Sequence, residues 1–425
     1  MRRGKEFGRR SAMPYVLAGL MVCSVVLLGS GGGGSLETEL GSEASNVYAG
    51  VRTELVEANT QFALDLYHEL AEADGNLFFS PYSISAALAM TYAGARGETE
   101  SQMSDALHFT LPQRVLHPAF HALDADLMQR AGEIEGVQLS IANALWGQDG
   151  HPFLAEFLDL LDASYGAPME TVDFTGASER ARAAVNDWVS RKTKGKISDL
   201  MPPGSITPAT RLVLANAIYF YGTWKLPFVA SQTQDEHFLR LDQQHVMVPM
   251  MLVQKDFAYA EEEGYCEAIE LLYTGDRLSM VVLLPGLGEY ESFEATLCPE
   301  RLDEILAKLE TQEVQLRMPK FKLNSEFSLA DTLAQLGMPD AFSGAADFSG
   351  MDGLHDLFIA HVAHKAFVSV DEEGTEAAAA TGISMALSIP SYVRMTINHP
   401  FIFLIRDREA GTILFMGRVL DPTAG

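Results

Sequence analysis

The chain has 425 residues, 48% of them hydrophobic, enough for a sizeable core in one large domain or in two to three ordinary ones. Against 57 Asp and Glu stand 30 Lys and Arg, a formal net charge of −27. That balance argues against nucleic acid and anionic membrane surfaces as partners, because both need clustered Lys and Arg.

Residues 1–30 read as an export signal. Arg2, Arg3, Lys5, Arg9 and Arg10 make a basic start, Tyr15 to Leu28 an apolar stretch, and Gly29, Ser30 and Gly31 small residues for cleavage. The apolar stretch is short for a membrane span, so a secreted or cell-envelope protein is expected rather than a retained anchor. Arg9-Arg10 is a weak twin-arginine signal, and Leu20-Met21-Val22-Cys23 a poor lipidation box. Residues 31–47, rich in Gly, Ser and Glu, read as a flexible linker, and a folded domain is expected over 48–425. Cys23 falls in the signal. Cys266 and Cys298 have no metal-type spacing and are expected as free thiols. No N-x-S/T sequon occurs, which is compatible with a bacterial source.

Asn59-Thr60 can cap a helix whose apolar residues Phe62, Ala63, Leu66, Tyr67 and Leu70 follow helical spacing. Ser80-Pro81 opens an Ala-rich run to Ala93, the signature of a buried helix with Pro in its first turn. Ser140 to Trp146 reads as a strand, and about Glu179 to Lys194 as a helix. Leu212 to Phe220 is a near-continuous apolar strand, hence central in a sheet, and Leu278 to Pro285 is another. Val314 to Leu323 alternates and reads as one half-exposed strand. A helix from about Leu329 stops at Gly337, and Asn398–Asp407 with Thr412–Val419 reads as a hairpin.

The chain's most distinctive stretch follows the strand His364 to Val370, in which His364, Ala366, Val368 and Val370 share one face. It runs Glu372, Glu373, Gly374, Thr375, Glu376, Ala377, Ala378, Ala379, Ala380, Thr381. Four alanines suit a short exposed helix, and a flexible loop is equally compatible with the composition. A third reading fits better. A segment without bulk, begun by one Gly, can slide between two existing strands and become a strand itself.

This stretch resembles the hinge of the serpins, whose pattern runs roughly E-E-G-T-E-A-x-A-x-T. Phe78-Phe79-Ser80-Pro81-Tyr82-Ser83-Ile84, Gly94 to Thr99, Asn216 with Gly222-Thr223-Trp224, Met318-Pro319-Lys320, Gly344 to Gly350 and the closing hairpin resemble further serpin motifs. The resemblance covers about residue 50 to the end. It implies one α+β domain with the serpin fold: three β-sheets, about nine helices and an exposed reactive-centre loop. It further implies that Glu372 pairs with Lys320 where the loop meets the sheet, beside Trp224. Two solvated charges are the plain alternative, contributing about 0–1 kcal/mol. Ser80, Ser83, Asn216 and His364 match the buried polar cluster that lets the central strands part. Such a cluster must be hydrogen-bonded, since each unsatisfied buried group costs about 1–3 kcal/mol.

The implied activity is inhibition of serine proteases by a suicide-substrate route. The protease forms an acyl-enzyme on the loop, and the hinge inserts into the main sheet before the ester can be hydrolysed. Thr375 would go in first. Within the hinge only Glu376 is charged beyond that point, and the family itself carries Glu there, facing outward. Counting from Gly374 puts the scissile bond between Ser388 and Ile389, while Leu387–Ser388, one residue earlier, suits a chymotrypsin-like pocket better. Either bond points to proteases with apolar or small primary pockets: chymotrypsin-, elastase- or subtilisin-like. The expected partner is therefore a target protease in a covalent acyl complex, with a monomeric inhibitor and no polyanion site. The alternative is a non-inhibitory serpin acting as a carrier, chaperone or cell-surface structural protein. His355, His361 and His364 with Asp352 and Asp356 match no familiar metal spacing. No G-x-S-x-G, complete H-E-x-x-H, phosphate loop or dinucleotide fingerprint occurs, so no catalytic residue, metal or cofactor is assigned.

Overall fold

The computed structural model describes residues 36–375 and 392–424. The expected export signal, most of the hinge (Glu376 to Thr381) and both candidate scissile bonds, Leu387–Ser388 and Ser388–Ile389, lie outside the described residues. The chain runs α1 (Leu36–Ala71), β1 (Leu77–Phe79), α2 (Pro81–Tyr92), α3 (Gly97–Ala106), α4 (Gln113–Gly132), β2 (Val137–Gln148), α5 (Ala155–Tyr165), β3 (Glu170–Val172) and α6 (Phe174–Lys192). Next come β4 (Leu212–Thr223), β5 (Gln234–Leu239), β6 (His245–Glu262), β7 (Cys266–Leu272), β8 (Leu278–Pro285), α7 (Tyr290–Thr296), α8 (Pro299–Ala307), β9 (Glu310–Pro319) and β10 (Phe321–Ser328). The last elements are α9 (Ala330–Gln335), α10 (Ser349–Asp352), β11 (His361–Val370), β12 (Gly374–Thr375), β13 (Val393–Thr396), β14 (Phe401–Asp407) and β15 (Ile413–Val419).

The six-stranded sheet has the order β10-β11-β4-β2-β3, with β12 added at the end of β4. At its centre β11 and β4 pair directly and in parallel, from His361↔Val213 to Phe367↔Tyr219. The residues of β4 explain its place. Leu212, Leu214, Ile218 and Phe220 point into the main core, while Val213, Ala215 and Ala217 pack in a second core with Val185 and Val189 of α6. A strand covered on both faces must be apolar at nearly every position, as this one is. Beneath the sheet lies α2, buried along its whole length. Its N-cap is Ser80, whose side chain accepts from the Ser83 backbone N–H, and Pro81 occupies the first turn.

The other nine strands follow the order β1-β15-β14-β8-β7-β6-β9-β13, with β5 on β6. Two of the three expected sheets are here one continuous ladder, because the 18-residue β6 pairs in turn with β5, β9 and β7. Two expectations need correction. The linker expected through residue 47 is already helical from Leu36, and Asn59 is a buried mid-helix residue bonded to Ser85 Oγ (2.6 Å) rather than a cap. The stretch is rich in Glu, Leu and Ala, strong helix formers, and holds no proline. The single strand expected over Val314 to Leu323 is two strands belonging to different sheets. Buried residues fall on even positions through Met318 and on odd positions from Phe321, so the phase slips at Pro319-Lys320.

Candidate functional site

The loop leaves the sheet through a tight reversal at the end of β11. Asp371 N–H donates to Gly374 O (2.9 Å), and Gly374 and Thr375 then pair antiparallel with Thr223 and Gly222 of β4. Three successive carbonyls are held by the segment after β4. Trp224 Nε1 donates to Asp371 O (3.0 Å), Phe228 N to Glu372 O (2.8 Å) and Trp224 N to Glu373 O (2.7 Å). The Trp224 ring is buried and stacks on Tyr273 with centroids 4.6 Å apart, so its N–H is aimed by packing. Only glycine fits at 374. A Cβ there would lie 2.0 Å from Gly222 O and 2.6 Å from Thr223 Cα, both backbone atoms.

Glu372 and Lys320 meet at this reversal, with Lys320 Nζ 2.7 Å from Glu372 Oε2, and Thr233 Oγ1 donates to Oε1 (2.7 Å). Burial works against the Glu372 charge, but the bonds from Lys320 and Thr233 outweigh it and hold the carboxyl below its usual pKa. Lys320 is the residue at the break between β9 and β10, so the bridge ties the loop's base to the joint between the two sheets.

Farther along β4 the other four expected residues form one hydrogen-bonded network. Ser80 N donates to His364 Nε2 (3.1 Å) and Ser80 Oγ to Leu414 O (2.6 Å). Because an N–H points at Nε2, the ring proton resides on Nδ1, which donates to Asn216 Oδ1. Asn216 Nδ2 reaches Ser83 O and Ser83 Oγ, each at 2.7 Å. Burial lowers the His364 pKa to about 3, so the ring is neutral. Sequence reasoning missed Asn143 of β2, whose Oδ1 accepts from Ser83 Oγ (3.1 Å) and from Asn216. Its sequence signal is only that an Asn interrupts an apolar strand; the structure shows it opposite Asn216 in the β2–β4 register.

The network bridges β2, β4, β11, α2 and β15 across the seam where β4 and β11 meet. Parting that seam must break the His364–Asn216 bond, and the strand backbones would need a new partner. Of the residues weighed for a metal, Asp352 and Asp356 come together with His151, their ligand atoms within 4.8 Å of one another, while His355, His361 and His364 stand outside that group. His364 is committed to the network, and His355 pairs with Asp347 (3.2 Å). Asp352 is bonded to His151 (2.7 Å), which fastens the turn after β2 to α10. Cys266 is buried, Cys298 exposed, and both are free thiols.

Known proteins agree with this architecture. The chain is 44% identical over 380 residues to a leukocyte elastase inhibitor of Sus scrofa, covering 87% of this chain and 100% of that one. Among solved structures, uncleaved ovalbumin superposes with a TM-score of 0.78 at 28% identity, covering 87% of this chain and 100% of its own. Human thyroxine-binding globulin complexed with thyroxine gives 0.79 at 31% identity, over 88% and 99%. The sequence profile described as "Serpin (serine protease inhibitor)" matches residues 57–422, and the chain belongs to the serpin family.

Proposed function

We propose that this serpin is a suicide-substrate inhibitor, not an enzyme, and that its targets are serine proteases with apolar or small primary pockets, elastase-like ones first. The observation that carries the reading is the pairing of Gly374 and Thr375 with β4 above a closed β4–β11 seam. The chain has already reversed and taken up the antiparallel register of an inserting strand. Continued without a slip, that register sets Thr381 opposite Asn216 and Met385 opposite Leu212, the first residue of β4. A protease acylated on Ser388 or Leu387 would travel the length of β4, about 40 Å for twelve residues. Insertion exchanges the single His364–Asn216 bond and seven paired positions for two new ladders, which drives it forward. The elastase-inhibitor relative supports the target class, and either candidate primary-pocket residue, Ser388 or Leu387, suits such pockets.

The inhibitor acts as a monomer and leaves the cell by an export signal in residues 1–30. Among the described residues no helix is long and apolar enough to cross a membrane. Sequencing the amino terminus of protein recovered from the expressing cell's medium or envelope tests the export reading. Cleavage near Gly29 to Gly31 is expected, and an intact Met1 in the cytosol alone would oppose it.

The inhibition test is a denaturing gel of the chain mixed separately with pancreatic elastase, chymotrypsin, subtilisin and trypsin, with mass spectrometry of the released carboxy-terminal peptide. Complexes that survive denaturation are expected with the first three. A peptide starting at Ile389 places the bond after Ser388; one starting at Ser388 places it after Leu387. Loop cleavage by all of them without any complex would favour a carrier role, for which the thyroxine-bound relative is a precedent.

A further inference from the structure

Away from the loop, a cavity of about 360 Å³ opens between α4, the end of α5, β2, β3 and α6. Its size falls within the range of pockets that hold small organic molecules, about 300–1,000 Å³. Ile141 to Ala144 of β2 line one side, and Met90, Met128 and Trp188 add apolar surface. Asp124 of α4 faces into it. The residue is only partly exposed, and its burial disfavours the charged carboxylate. Tyr82 O–H donates to Oδ1, while Oδ2 has no hydrogen bond among the described residues. Burial raises the Asp124 pKa to about 6, against the smaller opposing effects of the Tyr82 bond and of His121 one turn earlier.

The groups that face Asp124 decide the charge of a guest. Tyr82 of α2 and Tyr165 of α5 stay neutral, since burial raises both their pKa values. Glu170 of β3 adds a second carboxylate to the cavity, and Lys192 of α6 lies with Nζ 5.7 Å from the centre of the Trp188 ring. At neutral pH two carboxylates therefore face one ammonium, within a chain of net charge −27 whose field draws cations. The unmet acceptor is Oδ2, in a cavity to which Met90, Met128 and Trp188 add apolar surface.

We propose that this cavity binds a small organic cation, an ammonium or amidinium group on a compact aromatic or branched apolar body, with Asp124 Oδ2 accepting the charged N–H. The Met and Trp side chains receive the apolar body, and Asp124 supplies a partly desolvated counter-charge that a neutral guest of the same shape cannot use. The site is separate from the loop and stands whether or not the chain inhibits a protease.

Titration calorimetry of the intact chain with 2-phenylethylammonium and with 2-phenylethanol tests this. At pH 7.5 the cation is expected to bind about tenfold more tightly than the alcohol, a difference of about 1.4 kcal/mol. Its affinity should fall at pH 5, where Asp124 takes up a proton. Asp124→Asn, which can still accept from Tyr82, should erase the preference for the cation. Ala125→Trp, at an exposed helical position lining the cavity, should block both probes and leaves Asp124 in place. Equal binding of cation and alcohol, cation binding unaltered by both variants, or no binding to the native chain would each overturn the proposal.

Discussion

At residue scale, Thr375 is the first hinge residue past the glycine and already pairs with Gly222. A long charged side chain there would have to enter the seam first. Thr375→Arg is expected to leave loop cleavage intact and remove the stable complex, turning an inhibitor into a substrate. Elastase complexes formed at the native yield would contradict strand insertion. His364 makes a second residue-scale prediction. With it gone, Ser80 N–H and Asn216 Oδ1 each lose a buried partner, a loss of about 1–3 kcal/mol apiece. His364→Ala should therefore unfold at clearly lower urea concentration. The pH dependence follows from the same ring. Burial holds His364 near 3 and His117 near 4, whereas both would titrate near 6.5 unfolded. Below pH 6.5 the unfolded chain binds more protons, so stability falls with falling pH, by about 1.4 kcal/mol per unit per histidine. Asp124 works the other way. Its folded pKa of about 6 exceeds the unfolded value, so its protonation favours the folded chain between about pH 6 and 4. Urea midpoints at pH 7, 6 and 5 should decline, and less steeply in His364→Ala; identical slopes would remove His364 from the account.

At element scale the decisive unit is the reversal from Asp371 to Thr375. A Cβ at Gly374 would collide with backbone of Gly222 and Thr223, so Gly374→Ala must lift β12 off β4. A larger share of the variant should be cleaved per complex formed, read as a raised molar ratio of inhibitor to protease at full inhibition. An unchanged ratio would mean that this pairing does not matter. The α2 cap and the central strands were legible because each rests on local chemistry: Ser-Pro before an apolar run, unbroken apolarity. The Glu372–Lys320 pair and the four-residue cluster were legible only through the family resemblance, since nothing local joins residues 52 or 284 positions apart. Asn143 escaped because one Asn in a strand carries no sign of its partner until register is known. The helical start at Leu36 escaped because the Gly, Ser and Glu content of residues 31–47 read as linker, although Glu is itself a strong helix former.

At the scale of the whole molecule, a chain that gains a central strand after cleavage must begin in a state held by a barrier rather than by lowest free energy. Cleaving the loop with a catalytic trace of subtilisin should raise the unfolding temperature strongly, measured by circular dichroism before and after. An unchanged melting curve would place the cleaved loop outside the sheet and favour a carrier role. The acidic surface acts at the same scale. It leaves association with basic partners sensitive to salt, while the uncharged primary-pocket residue proposed here, Ser388 or Leu387, should make docking in that pocket much less so.

The Trp224 N–H on Asp371 O has a kinetic consequence. Strand growth, like helix growth, is slow to nucleate and quick to zip, and here the first rungs are in place before any protease arrives. Under the proposed suicide-substrate route, inhibition is a race between zipping and hydrolysis of the acyl ester, and the pinned turn would set the head start. Trp224→Phe keeps a ring on Tyr273 but drops that one bond. It should leave the rate of loop attack untouched and change only how the race ends, with more protease escaping per inhibitor consumed.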